Sequence, residues 1–240
     1  MRTRVKICCI LSTVELRAAV AAGADAVGFV GPMPSGPGVL DEALIPRLAA
    51  RVPPAVAGVL LTSATEPQRL IAQAAAARVA TLQLVDEVAA PVYAALRQTL
   101  PAVKLIQVVH VTGPGSLEVA DRAAGLADAI LLDSGRPAAT LRELGGTGRR
   151  HDWAISRRIV AASPVPVWLA GGLDSSNVEE AIRGRCGPSA STCARACGSP
   201  AGSTPSGCGR SWRQPHARRE RHDGGARRRR HGWPRADRDA

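Results

Sequence analysis

The segment KLIQVVHVTGPGSLEVADRAAGLADAILLD, residues 104–133, decides the fold. Its first seven residues are apolar on both alternations, as in a strand buried on both faces. A Gly-Pro-Gly turn leads into 116–126, whose apolar residues recur at helical spacing, and 129–133 is a second short apolar run. Strand, crossover helix and second strand of the same kind make one unit of a parallel sheet.

The same unit repeats outward in both directions. Apolar runs at 5–10, 26–30, 55–61, 80–84 and 165–170 read as further strands. Helical stretches lie between them at 14–22 (opened by Thr13), 41–51, 66–77, 89–99 and 153–162, and another begins at 177–182. A Gly/Pro loop occupies 31–38. Seven strand–helix units with few long insertions predict an α/β fold, a closed (βα)8 TIM-type barrel ahead of a doubly wound open sheet. With a single Phe and a single Tyr, the interior has to be filled by Val, Ile, Leu and Ala, which suits such a sheet.

Periodicity stops after Ile182. The expected domains are therefore a barrel body over 1–182 and an Arg/Gly/Pro/Ser-rich tail over 183–240. The eighth strand–helix unit is missing or replaced by a disordered tail, which would leave strands one and seven as unpaired edges. The net charge of +11 lies almost wholly in that tail, where 14 Arg stand against 4 acids; the first 182 residues carry only +1. A basic nucleic-acid-binding module is the reading from a different class. It would require salt-sensitive DNA affinity lost on deleting 183–240. The tail shows no helix pattern or aromatic platform for reading bases, so nucleic acid is not the expected partner. Its cysteines, Cys186, Cys193, Cys197 and Cys208, match no common zinc spacing, so no metal is expected. No apolar run approaches the length of a membrane span, and the N-terminus lacks the pattern of a signal peptide. A cytoplasmic protein with reduced thiols is the expectation, its oligomeric state open.

Chemistry-bearing residues fall at the C-terminal ends of the strands, where barrels place their active sites. Lys6-Ile-Cys8 closes strand one and Leu131-Leu132-Asp133 closes strand six. Gly145-Gly-Thr-Gly148 and His151-Asp152-Trp153 follow strand six. Leu169-Ala-Gly-Gly-Leu173 closes strand seven, and Asn177-Val178 opens the helix after it. In this order and spacing the series resembles the phosphoribosylanthranilate isomerase family over residues 4–182.

The resemblance implies an Amadori rearrangement of N-(5-phosphoribosyl)anthranilate in tryptophan biosynthesis, with a phosphosugar as the small-molecule substrate. It makes Cys8 the general base and Asp133 the general acid. Gly146, Thr147, Gly148, Gly171 and Gly172 are the candidate phosphate-binding residues, their N–H groups facing the anion. Proton transfer between two side chains calls for no cofactor. A bland reading stands beside each role: Cys8 as a small core hydrophobe, Asp133 as a turn former, Asp152 as the cap of the helix at Trp153, and Gly-Gly as a tight turn. A thiol with an ordinary pKa of about 8.5 needs help to act as a base. Lys6 shares a strand face with Cys8, which does not require that the two side chains meet.

Three departures stand out. The family's S-P-R segment, whose Arg meets the anthranilate carboxylate, aligns with Ser35-Gly-Pro-Gly38, and its Q-L-H-G reads Gln83-Leu-Val-Asp86. Apart from these three, Cys9 is read as a packing residue at a position that is Gly in the family. A paralogue acting on another phosphosugar amine is the alternative these changes leave open. The third departure is the tail. Back-translated with G/C-rich codons from the last base of codon 185, residues 186–198 read V-R-P-F-G-V-D-V-C-S-G-V-R. That is the type of segment that ends the family's eighth strand. A reading-frame shift near 183–185 is the expectation, and with it an inactive, truncated barrel as a possible state of the chain.

Overall fold

The computed structural model describes residues 3–34, 36–136, 144 and 148–182, and the backbone of 190–195. Eight strands form a closed barrel in sequential order: β1 (Val5–Cys8), β2 (Ala26–Val30), β3 (Ala57–Thr62), β4 (Thr81–Leu84), β5 (Lys104–His110), β6 (Ala129–Asp133), β7 (Val167–Leu169) and β8 (Ala190–Arg195). Every neighbouring pair is parallel. Between them run α1 (Thr13–Ala21), α2 (Ile45–Ala49), α3 (Pro67–Ala77), α4 (Ala90–Thr99), α5 (Ser116–Ala124), α6 (Trp153–Ala162) and α7 (Val178–Glu180).

The two-sided apolar strands have a direct cause. One alternation, with Val27, Phe29, Leu60, Leu82 and Leu105, packs against Leu16, Ile45, Leu70 and Leu96 of the helices. Ile130, Leu132, Val167 and Leu169 do the same against Ile155 and Ile159. The other alternation, with Val59, Leu61, Val85, Ile106, Val108 and Leu131, fills the barrel. These strands are therefore sandwiched, so no polar face is available to mark them. Local signals set the helix starts: Ser12 caps α1 by accepting from the Glu15 N–H, and Pro67 opens α3. The helix expected over 41–51 is shorter, because the Asp41 carboxylate turns the chain onto the Ala43 N–H and the helix begins only next to Pro46.

The expected gap at the eighth position is corrected. The backbone of Ala190–Arg195 pairs with β1 (Val5↔Thr192 to Cys8↔Arg195) and with β7 (Val167↔Ala190 to Leu169↔Thr192), so neither strand is left as an edge. Side-chain periodicity missed this strand because a ladder is built from main-chain groups, which any non-proline residue supplies. The barrel thus extends past the boundary expected at 182. The six residues of β8 are the six that read G-V-D-V-C-S in the shifted frame. The remainder of the tail, and the disorder expected there, lie outside the described residues.

Candidate active site

At the C-terminal mouth, β1 delivers Lys6 and Cys8 from one strand face into the interior. Lys6 has no exposed surface, and its Nζ donates to Cys8 Sγ. The two side chains do meet, which the sequence pattern alone did not require. An ammonium this deep needs an anionic or strongly polar partner, and a thiolate is such a partner.

Asp133 ends β6, in register with His110 at the end of β5. Burial pushes its carboxyl above the ordinary value. The Ser134 N–H, which donates to Oδ1 at 2.7 Å, and the charges of His110 and Lys6 pull in the other direction without cancelling the shift. The Lys6 charge therefore acts on both the thiol and the carboxyl. His110 Nε2 lies 3.1 Å from the Val85 carbonyl, and its Nδ1 has no hydrogen-bond partner among the described residues. Below the mouth, Gln107 Nε2 donates to the carbonyls of Leu84 and Asp86, tying β4 to β5.

The turn after β7 lies against the end of β6. Gly171 and Gly172 take φ of 81° and 64°, a left-handed pair suited to glycine. A Cβ on Gly171 would stand 3.0 Å from Asp133 Oδ1 and from Ser134 N, and one on Gly172 would stand 2.8 Å from the Arg149 backbone. The Asn177 side chain clamps this turn, donating to the Gly172 carbonyl at 2.9 Å and accepting from the Asp174 N–H at 3.1 Å. Asp152 caps α6, accepting from the Ala154 N–H at 2.8 Å. Gly148 is described, and among the described residues nothing lies within 4 Å of where its Cβ would stand; Gly146 and Thr147 lie outside the described residues.

The structure thus brings Cys8, Asp133 and Gly171 to one mouth, with Gly172 backing the same turn. Residues missed in the sequence are Lys6 as a partner of the thiol, His110 and Ser134 beside the acid, and Arg149 behind Gly172. A polar residue closing a strand is the signal that could have found His110. Among the described residues no group of three metal-ligating side chains occurs, and no helix is long and apolar enough to cross a membrane.

A closed parallel barrel whose mouth holds a thiol, an ammonium and a desolvated carboxyl belongs to the (βα)8-barrel enzymes, and the comparisons make it an isomerase. The family model for N-(5'-phosphoribosyl)anthranilate isomerase matches residues 5–191. An isomerase of that name from Methanosarcina mazei is 34% identical over 181 residues, covering 75% of this chain and 79% of the relative. Another from Methanocella arvoryzae is 34% identical over 180 residues, 75% of this chain and 82% of the relative. The crystal structure of the Thermus thermophilus phosphoribosyl anthranilate isomerase superposes with a TM-score of 0.65 at 26% identity, over 80% of this chain and 86% of that one. The chain belongs to the N-(5'-phosphoribosyl)anthranilate isomerase family.

Proposed function

We propose that the chain catalyses the Amadori rearrangement of N-(5-phosphoribosyl)anthranilate in tryptophan biosynthesis, with Cys8 as general base and Asp133 as general acid. The observation that carries this reading is the Lys6 ammonium, which donates to the Cys8 sulfur and bears electrostatically on Asp133. It stabilises negative charge on the Cys8 sulfur, while burial raises the Asp133 carboxyl above its ordinary value, the pairing an isomerase needs. Asp133 gives its proton to the furanose ring oxygen as the C1–O bond breaks and the amine nitrogen forms an iminium. Cys8 takes the proton from C2 and returns a proton to C1 of the resulting enolamine, while the 2-hydroxyl proton leaves as the C2 ketone forms and restores the proton on Asp133. Hydrogen moves only within the substrate and the two side chains, so the rearrangement balances without an outside oxidant.

Support for the phosphate side comes from the left-handed Gly171–Gly172 pair, whose turn lies beside Asp133, and from Gly148 across from it. The 148–150 segment adds Arg149 and Arg150 to that rim, both exposed. A solved relative was crystallised with reduced 1-(o-carboxyphenylamino)-1-deoxyribulose 5-phosphate, 25% identical to this chain with a TM-score of 0.65. That ligand has the form of the product proposed here.

The tail bears on activity. We infer a frame shift near codon 185, because the strand β8 falls on the residues whose shifted reading is a strand-eight motif. The test is turnover of N-(5-phosphoribosyl)anthranilate by the purified full chain and by a version with the frame restored. Turnover by both assigns the site as written. Turnover only in the restored chain makes the present product a damaged barrel, and turnover in neither sinks the isomerase reading.

A further inference from the structure

Strand β2 has a glycine, Gly28, at its centre, where a missing side chain weakens a sheet. Its backbone does not call for one. Gly28 is not among the glycines at positive φ, so its conformation would accept a side chain. Alternation puts it on the interior face of β2, with Ala26 and Val30. Space is what requires the glycine. A Cβ at 28 would stand 3.3 Å from Cys8 Sγ, 3.3 Å from Cys8 Cα and 2.9 Å from Leu61 Cδ1. Carbon–carbon contacts are comfortable from about 3.5 Å, and sulfur is larger than carbon. The Cys8 sulfur thus occupies the room that a side chain at 28 would take.

The two backbones cannot part to make more. Ile7 pairs with Val27 on β2, Cys8 pairs with Arg195 on β8, and the Ile10 N–H donates to the Gly28 carbonyl at 3.1 Å. An added group at 28 must therefore be absorbed by two side-chain ends, Leu61 Cδ1 and Cys8 Sγ. Leu61 has a rotatable end that can turn aside. Cys8 has one torsion only, and turning it carries Sγ away from the Lys6 ammonium that donates to it. Gly58 on β3 is the contrast. A Cβ there would meet Phe29, Val52 and Val79 of the helix-side core at 3.8 Å, an ordinary contact.

We propose that Gly28 is a positioning residue for the reaction: by leaving the space beside its Cα to the Cys8 sulfur, it holds the thiol against the Lys6 ammonium. This rests on the reading of Cys8 as the general base. The test is the rate of Cys8 alkylation by iodoacetamide in the full chain as a function of pH. Tandem mass spectrometry of the modified peptide separates Cys8 from Cys9. The rate at high pH, where the thiol is ionised, reports access to the sulfur, and the pH of half-maximal rate reports the thiolate. Lys6→Met should raise that midpoint. Gly28→Ala should raise it by about one pH unit, lowering the rate at pH 7 about tenfold, with the high-pH rate within about threefold of native. Gly58→Ala should leave both unchanged.

Gly28→Ala also crowds Leu61, so the double variant Gly28→Ala/Leu61→Ala, with Leu61→Ala as its reference, carries the test if the single variant does not fold. It relieves Leu61 and not the sulfur, so the midpoint should stay raised. A midpoint unchanged by Gly28→Ala, or one that returns in the double variant to that of Leu61→Ala, overturns the proposal and leaves position 28 a matter of packing. A native midpoint that Lys6→Met does not move, or a Cys8 that reacts at no pH, fails differently, by removing the assisted base on which the proposal rests.

Discussion

The rim above β6 and β7 and the rim above β1 to β4 stand on one barrel and differ in how closely their residues follow the signature series. Over β6 and β7 the signature letters are kept, and they are kept for contact reasons: Gly171 lies against Asp133 and Ser134, Gly172 against Arg149, and Asn177 fastens the turn. Any added atom there meets backbone or the acid itself. Over β1 to β4 the thiol and its ammonium remain, while their surroundings change at Cys9, Gly38, Val85 and Asp86. Gly38 lies against Cys9, so that an added Cβ would stand 2.5 Å from the Cys9 Cβ. The comparison teaches that the two rims are locally independent, because the contacts of Cys9 and Gly38 do not pass through Asp133 or the Gly171 turn.

The largest expected effect breaks the chemistry on either rim. Cys8→Ala and Asp133→Asn should each lower kcat on the order of 10³-fold, within the range for removal of a general acid or base. Steady-state assays with the frame-restored chain check this, and a loss below tenfold would remove the role. The two should differ in stability. Burial raises the Asp133 carboxyl, so folding favours its protonated form. That contribution is present below the unfolded value and is lost as pH rises through the folded one. Asp133→Asn should therefore melt higher than the native chain at pH 8, with the difference closing near pH 4.

Next in size is Lys6→Met, which keeps the length and removes the charge. Loss of the ammonium should cost about 10–100-fold in kcat at pH 7, with KM changed little. The acid limb of the kcat profile should move to higher pH, and activity should recover toward the alkaline end. An equal loss at every pH would make Lys6 a packing residue only.

Much of this was legible beforehand. Strands buried on two faces announce themselves as apolar runs, and the order of K-I-C, L-L-D and L-A-G-G-L placed Cys8 and Asp133 at the mouth. Three things were not legible, for different reasons. The contact of Lys6 with Cys8 depends on how side chains bend into the barrel, which a period of two does not encode. The collision between positions 9 and 38 joins residues 29 apart through a turn whose path only the structure gives. And β8 is held by main-chain pairing over residues with no apolar alternation, so reading side chains could not reveal it.

Gly171→Ala sharpens the comparison of the rims from the other side. It should destabilise by about 1–2 kcal/mol, from the positive φ and the crowding, and it should also lower kcat because the added methyl presses on Asp133 Oδ1. Gly38→Ala carries a similar strain on the opposite rim and should leave kcat closer to native, because its contacts reach Cys9 and not Asp133. Equal losses of kcat in both would show that the rims are not independent.

The smallest effect separates the rims by pH. His151 belongs to the segment that backs the Gly172 turn, and its Nε2 lies 2.7 Å from Ser156 Oγ. Burial lowers its pKa from 6.5 to about 4, so the fold holds a neutral ring. A depressed value means stability is complete above 6.5 and is lost as pH falls toward 4, since the unfolded chain takes up the proton first. Between pH 6.5 and 5.5 the loss should be about 1 kcal/mol. His151→Gln should flatten that slope. Hydrogen exchange should show the protection of the Asn177 and Ala181 amides falling over this interval, while that of Leu40 and Gly31 on the other rim holds. Parallel loosening of both rims would mean that the proton is felt by the barrel as a whole and that the two sides of the mouth are mechanically one.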